Sequence, residues 1–174
     1  MESGRPQTRE EGEEKMSKKI TPFLWFDGQA EEAAKFYCSV FKKSKMGKVS
    51  RYGEAGPLPK GTVMTVNFEI AGEKFTALNG GPQFKFNESV SFVVNCKDQK
   101  EVDYYWDKLT SGGGKEVACG WLKDKYGLCW QIVPDALLKL TAGKDAARTG
   151  RVMSAMMKMV KLDIATLERA AKGK

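Results

Sequence analysis

Few residues in this chain have the types and spacing that carry chemistry, and their pattern excludes more than it offers. There is no histidine among the 174 residues. That removes Ser-His-Asp and Cys-His nucleophiles, together with the commonest general base and metal ligand. Four cysteines stand at 38, 96, 119 and 129, with no C-x-x-C pair. The densest stretch is CGWLKDKYGLCWQIVP, Cys119 to Pro134, which holds two cysteines, two tryptophans, a D-x-x-G turn and, inside its last apolar run, Gln131. Lys123 and Lys125 could activate Cys119 as a nucleophile; without histidine it reads as a structural thiol. LNGGP, Leu78 to Pro82, could turn backbone N–H groups toward an anion, but a lone glycine pair reads as a connection. Glu31 and Glu32 fall where a helix begins, and the helix dipole accounts for them.

The elements that must position these residues follow from patterning. Hydrophobic residues make up 41% of the chain, enough for a packed core, and no apolar run reaches the ~18–20 residues of a membrane span. The first residues, MESGRPQTREEGEEK, are polar and lack a secretory h-region. Residues 1–17 are therefore expected to be a disordered tail, with Met16 of MSKKITPF a natural start. Unpaired cysteines without a secretory signal point to reduced thiols in a cytoplasmic protein. The formal charge is +7, with the lysines scattered and only the C-terminal end concentrated: seven Lys/Arg against three acids from Asp145 onward. Scattered lysines read as a solvated surface, which argues against a nucleic-acid partner; no membrane partner is expected.

ITPFLWF (20–26) reads as a strand, AEEAAKFYCSVF as a helix with Ala33, Phe36, Tyr37, Val40 and Phe41 on one face, and KVSRYG as a strand. TVMTVNFEI and KFTALNG flank a tight hairpin at AGE. The order then recurs. NESVSFVVNC is a strand, KDQKEVDYYWDKLTSGG a helix, and KEVACGWLKD and GLCWQIVP strands around the D-x-x-G turn. EAAKFY (32–37) lies over EVDYYW (101–106), and AGEKFTAL over YGLCWQIV. A repeat of roughly 70 residues decides the architecture: an α+β fold of two tandem β-α-β-β-β modules, residues 18–82 and 83–134. A helical tail, 135–174, follows. In the tail Val152, Met153, Met156, Met159 and Val160 form a Met-rich helical face, expected to contact a second copy, and Asp163 caps a last helix through Ala171.

ITPFLWFDGQAEEAAKFY, TALNGGPQFKFNESVSFVV, CGWLKDKYGLCWQIVP and RVMSAMMKMVKLDIATLERA together resemble the PhnB-like branch of the vicinal oxygen chelate superfamily, the glyoxalase, bleomycin-resistance and dioxygenase group. This branch also carries the name 3-demethylubiquinone-9 3-methyltransferase. The resemblance spans roughly residues 18–171. It implies two modules around a cleft that commonly holds a divalent metal, with ligands on the first and last strands of each module. Here those positions fall on Thr21, Thr76, Ser91 and Gln131, where the superfamily has His and Glu. Three hydroxyls and an amide offer no charge to offset the dehydration of a divalent ion, so neither a metal nor any other cofactor is expected. Strand alternation adds Phe23, Trp25, Leu78, Val93, Asn95 and Cys129 to the cleft. No catalytic residue stands out. The resulting expectation is a homodimer binding an unknown small, partly apolar molecule in a metal-free cleft. The alternative is an enzyme of the same superfamily: a metal-dependent lyase, isomerase or oxygenase, or the methyltransferase of the branch's name.

Overall fold

The computed structural model describes residues 19–174; the stretch expected to be a disordered tail lies outside the described residues. The first module runs β1 (Phe23–Phe26), α1 (Ala30–Val40), β2 (Lys45–Arg51), β3 (Val63–Ile70) and β4 (Glu73–Asn79). Its sheet has the order β1-β4-β3-β2, with β1 parallel to β4 and the other pairs antiparallel. The second module repeats this with β5 (Phe92–Cys96), α2 (Gln99–Thr110), β6 (Lys115–Glu116), β7 (Trp121–Lys123) and β8 (Cys129–Pro134). Its order is β5-β8-β7-β6, with β5 parallel to β8. The α+β fold of two four-stranded modules is as the repeat required. Among the described residues, no helix is long and apolar enough to cross a membrane.

The registers of the two modules correspond. Phe23 lies opposite Thr76 and Val93 opposite Gln131, so the aligned segments AGEKFTAL and YGLCWQIV hold equivalent places. The β3–β4 hairpin turns on Ala71 and Gly72, whose φ angles are 50° and 85°. Two successive left-handed residues give the turn twist that matches the strands.

KEVACGWLKD does not form the single strand expected of it. Cys119 and Gly120 have φ angles of 62° and 83°, and the chain reverses there, leaving β6 and β7 paired antiparallel. Left-handed backbone is costly for a residue with a Cβ. Here it is held from outside: Cys119 N donates to Met159 O and Gly120 N to Val160 O, both at 2.8 Å. The turn supplies the fourth strand of the second sheet.

The inner faces of both sheets enter one core with α1 and α2. Leu24, Phe26, Val66, Phe68, Phe75 and Ala77 of the first module join Val94, Cys96, Leu122, Trp130 and Ile132 of the second. Tyr37 of α1 stands at the junction, its ring centroid 6.1 Å from Phe68 and 5.6 Å from Trp130. Its hydroxyl donates to Asp124 at 2.8 Å. Asp124 also accepts from Trp130 Nε1 at 2.9 Å and from the backbone N–H groups of Tyr126 and Leu128. Burial pushes this carboxyl up, against the pull of its four donors.

After β8 come α3 (Asp135–Thr141), α4 (Ala146–Met156) and α5 (Ile164–Ala171). Asp163 caps α5 as expected, accepting from Thr166 N. The Met-rich face is shorter than expected, because α4 ends at Met156. Val152 is buried with Leu162 and Leu167 in a core of the tail's own, to which Met156, Met159 and Val133 of β8 pack. Met153, Met157 and Val160 remain exposed.

The Asp124 cluster should be energetically coupled. Tyr37→Phe alone should cost about 1–2 kcal/mol, and Asp124→Asn, which turns an amide N–H toward the Trp130 donor, about 1–3 kcal/mol. Chemical denaturation of both single variants and the double variant checks this: the double loss should fall short of the sum, and simple additivity would contradict the cluster.

Candidate functional site

Of the ten residues expected in the cleft, Thr21 and Ser91 precede β1 and β5, and the others alternate along their strands with residues of the shared core, as a period of two demands, with Cys129 itself buried. The structure does not gather them into one hollow. Both sheets send their inner faces into one core, and the expected cleft residues are divided between separate cavities, Thr21 and Thr76 in one and Val93 and Asn95 in another.

On the first sheet, Thr21 and Thr76 line a cavity of 340 Å³ together with Asn67, Lys45, Lys48 and Lys74. Thr76 Oγ1 donates to Asn67 Oδ1 at 3.1 Å, since Asn67 lies opposite Thr76 in the β3–β4 register. Lys45 pairs with Glu69, a second lining residue, at 3.4 Å. Phe23 is 60% exposed. Trp25 donates its indole N–H to Gly81 O at 2.8 Å and packs edge-on to Phe84 at 5.0 Å. A Cβ at Gly80 would lie 2.2 Å from the Trp25 ring. LNGGP is thus a connection whose glycine lets the backbone pass against an indole, and Leu78 lies half-buried at its start.

On the second sheet, Gln131 Nε2 donates to Ser91 Oγ at 2.8 Å. Val93 is 51% exposed and, with Asn95, lines a crevice of 330 Å³ against Ile70, Glu73 and Phe75 of the first module. Cys129 is only 1% exposed, and its Sγ faces Gly127 O. Burial pushes that thiol up.

Of the four positions that the resemblance implies, Ser91 and Gln131 bond each other, Thr76 bonds Asn67, and Thr21 lines the same cavity as Thr76. Among the described residues no three of His, Cys, Asp and Glu come together as a metal site. The donor set does not fit a divalent ion. The lysines beside Cys119 in sequence are engaged elsewhere: Lys123 pairs with Glu88, and Lys125 with Glu32 at 2.8 Å. Cys119 instead has its Sγ 3.6 Å from Met157 Sδ.

Asn67, Lys45, Lys48 and Lys74 escaped the sequence reading. The signal for Asn67 was present: alternation in TVMTVNFEI places Thr65, Asn67 and Glu69 on the face that Thr76 shares. The lysines lie on an edge strand and beside a hairpin, where any polar residue is at home, so their side of the sheet left no mark.

The sequence model of the 3-demethylubiquinone-9 3-methyltransferase family matches residues 18–133. No curated protein matches the chain. Among solved structures, a Bacillus cereus protein described as a 3-demethylubiquinone-9 3-methyltransferase and PhnB protein is similar at 36% identity and a TM-score of 0.61. The match covers 67% of this chain and 99% of that one. Protein PA1353 of Pseudomonas aeruginosa shares the fold at 19% identity and a TM-score of 0.56, over 68% of this chain and 98% of that one. RVMSAMMKMVKLDIATLERA lies beyond the residues that the family model matches. Over its two modules the chain belongs to the 3-demethylubiquinone-9 3-methyltransferase family, the PhnB-like branch of the vicinal oxygen chelate superfamily.

Proposed function

We propose that this protein binds a small, partly apolar molecule, without a divalent metal, in a cleft completed by a second copy of the chain. The observation that carries this reading is the Gln131–Ser91 hydrogen bond. At two of the positions where the superfamily holds a metal, this chain has an amide and a hydroxyl satisfied by each other. Neither offers charge to an ion, and both can turn to a polar ligand. Thr76 and Asn67 repeat the arrangement on the first sheet. Phe23 and Val93 add exposed apolar surface at equivalent places, and apolar walls with a few polar anchors are the usual make-up of a small-molecule site.

The division of the expected cleft residues between separate cavities supports a homodimer. A cleft that uses both Thr76 and Gln131 needs the open face of one copy's first module against that of another's second module. The Met-rich face gives less support as the contact, because Val152 is spent on the tail's own core.

The family's name includes methyl transfer, but a typical S-adenosylmethionine site has a glycine-rich turn after a first parallel strand. Here β1 leads into Asp27-Gly28-Gln29, and α1 begins with Ala30 N donating to the Asn79 side chain. That turn therefore gives no support to methyl transfer.

Three measurements test the proposal. Purified protein should carry far less than one equivalent of Zn, Ni, Mn or Fe, and its melting temperature should not change with EDTA, because no metal binding is linked to folding. In a small-molecule screen read by tryptophan fluorescence, a hit should respond less in Trp25→Phe. The same hit should bind Gln131→Ala more weakly by ~1–3 kcal/mol. Sedimentation at tens of micromolar should give a dimer; a monomer would refute the shared cleft. A tightly held divalent ion on Thr21, Thr76, Ser91 and Gln131 would replace this reading with a metalloenzyme.

A further inference from the structure

Cys119 is conspicuous apart from the cleft. It is a non-glycine residue in left-handed backbone, half-buried, on a turn that the C-terminal segment holds through Met159 O and Val160 O. That clamping brings Cys119 Sγ to 3.6 Å from Met157 Sδ, across 38 residues of sequence. Met157 is 64% exposed, and Met153, also exposed, lies one turn earlier in α4, with Met157 N bonded to Met153 O. Residues four apart on a helix are neighbours on its surface. The sulfurs of Cys119 and Met157 thus meet at an accessible place, with Met153 one helical turn away.

We infer that Cys119, Met157 and Met153 form a binding site for a soft monovalent metal ion, Cu(I). Thiolate and thioether donors select such ions over hard or borderline ones. With metal–sulfur bonds of roughly 2.3 Å, sulfurs 3.6 Å apart subtend an angle of about 100° at the metal. That is far from linear two-coordination and leaves room for a third sulfur, which Met153 supplies. Binding replaces the thiol proton: Cys119 S–H and Cu(I) give a thiolate–copper bond and a proton released to solvent, with no change of oxidation state. The site joins the second module to the helical tail that lies beyond the family match, and it is independent of the cleft and of dimer formation.

The test is anaerobic titration of the full chain with Cu(I) in competition with bicinchoninate, in a thiol-free reductant. The wild-type protein should retain one equivalent. Cys119→Ser, Met157→Leu and Met153→Leu should each weaken retention by about tenfold or more. Cys38→Ser, which removes the other half-buried thiol, should leave it unchanged. Circular dichroism and melting establish that each variant folds; Met157→Leu, at an exposed position, tests the site even if Cys119→Ser does not fold. X-ray absorption of the loaded protein should show only sulfur neighbours. No retained copper, retention unchanged in Met157→Leu or Met153→Leu, or loss in Cys38→Ser would overturn the site.

Discussion

One buried carboxylate governs how the two modules face each other. Asp124 accepts from Tyr37 of the first module and from Trp130, Tyr126 and Leu128 of the second. A buried acid with four donors holds its surroundings closely, because any shift leaves a donor or a lone pair without a partner in a medium where that is costly. Tyr37 also carries the aromatic contacts that join the two inner faces. Those contacts fix both inner faces on one core.

Much of this was legible in the letters. The repeated segments and the alternation of apolar residues gave the two modules, the hairpin at Ala71-Gly72 and the strand residues that enter the core. Alternation fixes the side of a residue relative to its own strand, however, and not the relation between two sheets. That Thr76 bonds Asn67 on one sheet while Gln131 bonds Ser91 on the other was therefore invisible. Asp124 read as a turn residue in D-x-x-G, and it does form that turn. Nothing in sequence linked it to Tyr37, 87 residues away.

The turn at Cys119 was hidden for a different reason. Gly120 signals a left-handed residue, but Cys119 does not, and its conformation depends on backbone acceptors at Met159 and Val160. A strand reading of KEVACGWLKD was locally sound and was overridden by the tail. The tail also misled in the other direction: a run of methionines at helical spacing suggested one long face, whereas the helix stops at Met156 and the chain turns to reach the second module. The family match covers the modules and stops before these helices.

The claim on which the functional account rests is that Thr76 and Ser91 meet only between copies. A Thr76→Cys/Ser91→Cys variant, in a background with Cys38 and Cys119 replaced by serine, can be treated with a short bifunctional maleimide and weighed by mass spectrometry. The account predicts a covalent dimer joined between residue 76 of one copy and residue 91 of the other. A monomer bridged internally between the same two positions would contradict it.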